Sequence, residues 1–419
     1  MTRRDFILCA TTIAAFRNDT LSAVEKLVGR YSGEPNEEDF WIQIREAFDL
    51  DPNIANFNNG GCSPSPRIVQ EALKRQIAYS NQAPSLYMWR DLEPEVEHVR
   101  ARLAGLFGVD TEEIAITRNA SESLETCLAG HDLKPGDEVL CTDQDYPRMV
   151  TTLQQMERRY GIKLVQVPVP AAPETKEELV EAYRKGITPQ TKMMLVCHVI
   201  FMTGQIYPIH DITALGREHG IPVVVDGAHA FAQFPFKRDD LGCDYYGTSL
   251  HKWLQAPIGT GMLFVKKDKI KDLWPLMAAG KDMDSNIRKF EEIGTHPAAN
   301  HNAIGEAITF HELIGGQRKA DRLRHLRKRW TDKIQNESKV VFHTNLHPEH
   351  SCAITTVEIK GISNGDLGGW LMNKHGIFVT SITHPRFQGI RVSPNIYSTV
   401  DEIDRFASAM LTAARQGIS

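Results

Sequence analysis

The chain has few of the devices that build a metal centre or a disulfide framework. Its seven cysteines (Cys9, Cys62, Cys127, Cys141, Cys197, Cys243 and Cys352) are scattered through 419 residues, with no C-x-x-C pair and no His/Cys cluster at ligand spacing. No metal is therefore expected. Cys127, Cys141 and Cys197 fall in apolar runs, where a thiol serves as a small hydrophobe. Basic excess is lacking too: a net charge of -5 leaves no footprint for a polyanion, and no nucleic-acid partner is expected. The one basic run, Arg318 to Lys333, alternates with apolar positions at helical spacing and reads as the solvated face of a surface helix. The apolar stretch Ile7 to Phe16 is about half the ~20 residues of a spanning helix, so no membrane partner is expected. Repeats and low-complexity segments are absent as well.

That same stretch follows Thr2-Arg3-Arg4-Asp5-Phe6-Ile7, an order that reads as a twin-arginine export signal over residues 1–23. Thr20-Leu21-Ser22-Ala23 offers a small-residue cleavage region. The expected location is periplasmic, after export of the folded protein; an ordinary N-terminal helix would leave the chain cytoplasmic.

What is present is a globular composition, 42% hydrophobic and 24% charged, in a chain long enough for two domains. Residues 24–55 are expected to form a helical, charged arm that packs on the smaller domain. From Ile114 onward, apolar runs alternate with amphipathic segments: Ile114–Thr117, Glu138–Thr142, Lys163–Val169, Lys192–His198, Val223–Asp226, Tyr245–Ser249 and Gly261–Val265. This alternation predicts an α/β fold, with a mostly parallel seven-stranded sheet in a large domain over 56–305. A smaller α+β C-terminal domain, 306–419, is expected to begin with helices and continue through Ala353–Ile359 and Ile377–Val379. Ligands of open α/β sheets bind at the carboxyl ends of the strands, where several of these runs turn polar.

Two such ends carry the most specific signal, Asp226-Gly227-Ala228-His229 and Ser249-Leu250-His251-Lys252-Trp253. Pyridoxal-phosphate (PLP) chemistry needs a lysine for the Schiff base and a carboxylate to keep the pyridine nitrogen protonated, so that the ring accepts electrons from the substrate α-carbon. Lys252 and Asp226 fit those roles as the catalytic pair. A buried lysine is costly unless its charge is removed, which an imine does.

In order and spacing these motifs resemble the class V aminotransferases, PLP enzymes of fold type I that include cysteine desulfurases, selenocysteine lyases, kynureninases and isopenicillin N epimerase. The resemblance runs from about Asn56 to Tyr397 and is nearest in flavour to the epimerase, through D-G-A-H, H-K-W-L and the G-I-R-V-S-P ending. It implies a set of roles. Ala120 and Ser121, in Thr117-Arg118-Asn119-Ala120-Ser121-Glu122-Ser123, would hold the cofactor phosphate at a helix N-terminus, with Ser249 and His251 as further ligands. His229 would meet the ring oxygen, where many relatives have Gln. Within Asp143-Gln144-Asp145-Tyr146-Pro147, either Gln144 or Tyr146 takes the place of the residue stacked on the ring, and Tyr146 is chosen. Arg391 would grip the substrate carboxylate, a task suited to a planar guanidinium. Asn59, in Asn58-Asn59-Gly60-Gly61, is placed at the substrate as well. Gly294-Thr295 matches an element whose threonine reaches the phosphate of the neighbouring subunit, which implies a homodimer.

Two departures bear on the reaction. Ser381 to Phe387 holds no cysteine, so a persulfide-forming desulfurase is disfavoured, and Phe201 stands where the family usually places an Asn that helps bind substrate. The expected function is a PLP enzyme acting at the α-carbon of an amino acid, or of an amino-acid-containing metabolite, by transamination or epimerisation. In the periplasm it could tailor a secreted peptide or siderophore. The enzymatic alternative is a C-S or C-Se lyase of cysteine derivatives. A silent scaffold or sensor on the same fold is the alternative of another kind, against which the joint presence of Lys252, Asp226 and Arg391 argues.

Overall fold

Seven runs of apolar residues assemble into one sheet in this computed structural model, which describes residues 20–418. The twin-arginine reading rests on residues 1–19, outside the described residues. A short β1 (Ala55–Asn56) is followed by the sheet strands β2 (Ile114–Thr117), β3 (Glu138–Thr142), β4 (Lys163–Val167), β5 (Thr191–Cys197), β6 (Val223–Asp226), β7 (Tyr245–Ser249) and β8 (Gly261–Val265). The order is β2-β8-β7-β6-β5-β3-β4; β8 runs antiparallel to both neighbours and the other pairs are parallel. The central strands are buried on both faces, which is why they read as apolar runs rather than as alternation. β4 stops at Val167, short of the expected Val169, because Pro168 has no N–H to give the ladder.

A second sheet holds β9 (Val340–Phe342), β10 (Thr355–Ile359), β12 (Thr380–His384) and β13 (Phe387–Val392) in the antiparallel order β12-β13-β10-β9. β10 starts two residues later than expected, since the Ala353 N–H donates to the Gln233 side chain (2.9 Å). β1 pairs in parallel with β11 (Ile377–Phe378), and Asn58 bridges Ser393, so the segment leading to Gly60 is sewn to the end of β13. Behind this sheet, Leu326 and Trp330 of helix Gly316–Ile334 pack with Phe406 and Met410 of helix Val400–Gln416.

The N-terminal arm forms helices Thr20–Arg30 and Glu38–Arg45. Their apolar residues, Val24, Leu27, Phe40, Trp41 and Ile44, join the main core beside helix Ile304–Ile314. Their ion pairs, Arg322 with Glu38 and Arg45 with Glu402, reach the C-terminal helices. Thr20 and Ala23 of the expected cleavage region are buried within the first helix, so cutting there requires that helix to unwind.

The basic run from Arg318 to Lys333 departs from its expected character. It is helical, but Lys319, Arg322 and Arg327 are buried, because the helix is wedged between the arm, the loop after β7 and the second sheet. Burial selects the long cationic side chains there through specific acceptors rather than through water.

Candidate active site

The register of the central strands brings Cys197, Asp226 and Gly247 abreast at the carboxyl ends of β5, β6 and β7. Asp226 lies in the middle of that row. One carboxylate oxygen accepts the Ala228 N–H (2.9 Å) and the other meets Cys197 Sγ (3.7 Å). Burial raises its pKa above the usual carboxylate range, against the opposing pull of the Ala228 amide and Lys252. Gly227 is required next in the chain, because a Cβ there would lie 1.9 Å from Cζ of Tyr246.

Lys252 sits in the loop joining β7 to β8. The His251 carbonyl accepts the Ser63 N–H (3.1 Å), and His251 Nδ1 donates to the Thr260 carbonyl (3.0 Å), so the residue before the lysine is fixed from two sides. The Lys252 amine reaches to 3.2 Å from His229 Nε2. Burial lowers its pKa to about 8; Asp226 opposes that shift and Arg391 adds to it. His229 is driven well below its ordinary value, first by burial and then by the Lys252 and Arg391 charges. A neutral His229 can accept from Lys252 through Nε2, which leaves its buried Nδ1 without a protein partner.

Helix Ala120–Gly130 begins against the same strand ends. Asn119 caps it, its side chain accepting the Glu122 N–H (2.9 Å), and the Ala120 N–H donates to Ser249 Oγ (3.0 Å). Close approach of β8 makes this junction possible: a Cβ on Gly261 would lie 2.6 Å from Asn119 Cα. The N-terminus of the helix, with the Ser121 and Ser249 hydroxyls, offers a seat for an anion.

The opposite wall is shaped by the turn after β3. Buried Asp145 accepts both the Thr142 N–H (2.7 Å) and its hydroxyl (2.6 Å), and this tight turn sends Tyr146 outward. Gln144 points elsewhere, donating to the Val169 carbonyl (2.8 Å), so of the two candidates Tyr146 is the one that reaches the site. Its ring meets Phe201 edge to face, with centroids 5.3 Å apart.

These walls enclose a cavity of about 320 Å³. Ala120, Ser121, Ser249 and His251 line it together with Asp226, His229, Lys252, Tyr146 and Phe201. A wider groove of about 900 Å³ opens beyond Tyr146 and Phe201, and carries Arg148, Gln155 and Arg159.

Three expected residues lie outside the lining. Arg391 is buried just behind it, donating to the Phe201 carbonyl (3.0 Å) and to Asn58 Oδ1 (2.8 Å), while its Nε has no partner. Burial lowers its pKa to about 10, so it stays cationic near neutrality. Asn59 is corrected from a substrate contact to a structural one. Its amide donates to the Asn56 and Ser393 carbonyls, and its oxygen accepts from the Tyr397 hydroxyl (2.5 Å), which leaves nothing to offer a substrate. Thr295 is exposed and does not line the cavity of its own chain.

Sequence reasoning passed over Asn58, which holds Arg391, and Cys197, which walls the cavity beside Asp226. Cys197 ends its strand as Asp226 does, and that position was the available signal. Nothing in the pair Asn58-Asn59 marks which of the two turns toward Arg391.

Comparison with known proteins returns a consistent answer. The family model described as aminotransferase class V matches residues 55–406. The isopenicillin N epimerase of Amycolatopsis lactamdurans is 29% identical over 391 residues, covering 88% of this chain and 98% of that protein. The hercynylcysteine sulfoxide lyase of Schizosaccharomyces pombe is 22% identical over 332 residues, covering 76% and 83%. Among solved structures, a cystine C-S lyase in complex with cysteine persulfide superposes with a TM-score of 0.77 at 22% identity, covering 85% of this chain and 97% of that one. That likeness shows the fold.

Proposed function

Since the chain belongs to the class V aminotransferase family of PLP-dependent enzymes, we propose that it moves the α-proton of an amino acid, free or within a larger metabolite, in a transamination or an epimerisation. The observation that carries this reading is the meeting of Lys252, Asp226 and the helix N-terminus at Ala120 in one cavity. The residues fit the cofactor: a buried amine for its aldehyde, a buried carboxylate for its ring nitrogen, an anion seat for its phosphate, and an unpartnered His229 Nδ1 for a ring substituent.

When bound, PLP supplies an electron sink that makes the substrate α-proton acidic. Lys252 would hold the cofactor through Nζ; once released by substrate, the same nitrogen takes and returns the proton, a role suited to an amine with pKa about 8. Asp226 would keep a proton on the ring nitrogen. Ala120, Ser121 and Ser249 would hold the phosphate. His251 spends its Nδ1 proton on Thr260, so it can serve the phosphate only by taking a second proton on Nε2, against the burial that lowers its pKa. Tyr146 would cover the ring, and Arg391 would draw the substrate carboxylate to the Phe201 side. Phe201 and Tyr146 line both the cavity and the groove, which suits a substrate whose α-carbon sits in the first and whose larger body lies in the second.

A second reading, elimination from a cysteine derivative, is favoured by one feature. The hairpin β12–β13, free of cysteine, is tied down: Arg386 pairs with Asp143 (2.5 Å) and His384 bonds the Asp143 carbonyl (3.2 Å). A lyase that releases its sulfur product without a carrier thiol needs no mobile loop there. We also propose a homodimer in which Thr295 serves the neighbouring phosphate site, a division into domains over 56–305 and 306–419, and export through Arg3-Arg4 to the periplasm.

The test is borohydride reduction of the purified, coloured protein followed by peptide mapping, then a screen of amino acids and cysteine derivatives for spectral change and for released sulfide. Cofactor fixed to Lys252 supports the proposal; colourless protein that cannot be reconstituted overturns it. Recovery of the mature chain only from the cytoplasmic fraction overturns export.

A further inference from the structure

Among the described residues, Lys319 has no carboxylate to answer it. It lies in helix Gly316–Ile334, 1% exposed, and its amine has two partners, the Trp253 carbonyl (2.9 Å) and His311 Nδ1 (3.0 Å). Leucine or methionine would fill such a place without the desolvation that a lysine brings, so its presence calls for something a hydrocarbon cannot do. What it does is visible in the first bond. Trp253 directly follows Lys252, and among the described residues no other donor reaches its carbonyl.

The surroundings show why that carbonyl needs a donor. From Leu250 to Ala256 the loop forms neither helix nor strand, and Gln255 within it has a left-handed backbone, φ 63, that only glycine adopts easily. The Leu250 carbonyl accepts from within the loop, from the Ala256 N–H (3.1 Å), and three others are held from outside. The Ser63 N–H takes that of His251 (3.1 Å), Ser65 Oγ takes that of Ala256 (3.0 Å), and Lys319 takes that of Trp253. Lys252 is thus bracketed: the residue before it is fixed by the segment carrying Gly60 and Gly61, and the residue after it by a helix from the far side of the loop.

We infer that Lys319 is a positioning residue, whose amine holds the Trp253 carbonyl and thereby aims the Lys252 side chain at His229 and into the cavity. The inference rests on Lys252 being the cofactor lysine. Burial lowers the Lys319 pKa to about 7, so much of the population carries a neutral amine near physiological pH, and a neutral amine still donates to a carbonyl.

Two variants of the holoenzyme test it, read by amide hydrogen exchange and by kinetics. Lys319→Met keeps the bulk and removes the donor; Lys319→Gln keeps a donor. Loss of one hydrogen bond implies about fivefold to tenfold faster exchange, confined to the amides of 250–256, while helix Gly316–Ile334 keeps its protection. The kcat of Lys319→Met falls by a similar factor at unchanged KM, and Lys319→Gln restores most of both. Equal loosening of the helix and the loop, or unchanged exchange in 250–256, overturns the proposal, as does a Gln variant no better than the Met variant. If Lys319→Met does not fold, the Gln variant decides alone: wild-type protection of 250–256 supports the inference and its loss overturns it. Failure of the borohydride test at Lys252 would be a separate result, because exchange in this loop is measured whether or not the lysine carries the cofactor.

Discussion

Lys252 Nζ lies 3.2 Å from His229 Nε2, and both groups are pushed toward their neutral forms by burial and by the Arg391 charge. The amine is therefore easily freed of its proton, which the proposed attack on an aldehyde requires. Replacing Lys252 by Ala should abolish borohydride-stable attachment of PLP while leaving the fold intact by circular dichroism. Attachment persisting at another lysine would remove Lys252 from its role.

Capture of PLP by the apoprotein should depend on pH in a stated direction. Only the neutral amine attacks, and the Lys252 pKa is about 8, so the rate should rise about tenfold per unit below that value and level off above it. A stopped-flow series from pH 6 to 9 that shows a flat rate would contradict the lowered pKa.

Asp226→Asn keeps the shape of the strand end and removes the charge proposed to serve the ring nitrogen. Cofactor should still load, whereas turnover should fall by about 10²–10³-fold, the usual cost of losing a charge set against the reacting system. Turnover within a few-fold of wild type would show that Asp226 is structural.

Arg391→Lys leaves a cation but loses the fork. The KM for an amino-acid substrate should rise about 10–100-fold, equivalent to one charge-assisted hydrogen bond, with kcat less affected. A substrate lacking an α-carboxylate should show no such difference between wild type and variant.

Gly227→Ala tests packing rather than chemistry. The added methyl would overlap the Tyr246 ring, so the variant should lose about 1–3 kcal/mol in denaturant unfolding. Wild-type stability would mean that the strand end yields more than the structure suggests.

The strands that place Asp226 and Lys252 were readable because a parallel strand buried on both faces leaves an unbroken apolar run, and the residues that follow such runs are the ones that line the cavity. Other features had no such trace. Lys319 looks from its neighbours like any cation on a charged helix, since burial of that face is decided by the arm and by the loop after β7, distant in sequence. Asn58 and Asn59 share one side-chain chemistry; the bridge to Ser393 turns one toward Arg391 and locks the other beneath Tyr397. The fate of Asn59 is set by partners more than 300 residues away.

Arg391 is seated by Phe201 and Asn58, so the place proposed for a carboxylate draws on three stretches of chain, while the places proposed for the phosphate and the ring draw on the strand ends of the large sheet. The two halves share few residues. On the proposed roles, a change in the first half would alter which amino-acid derivative is held while the second half goes on holding the same coenzyme.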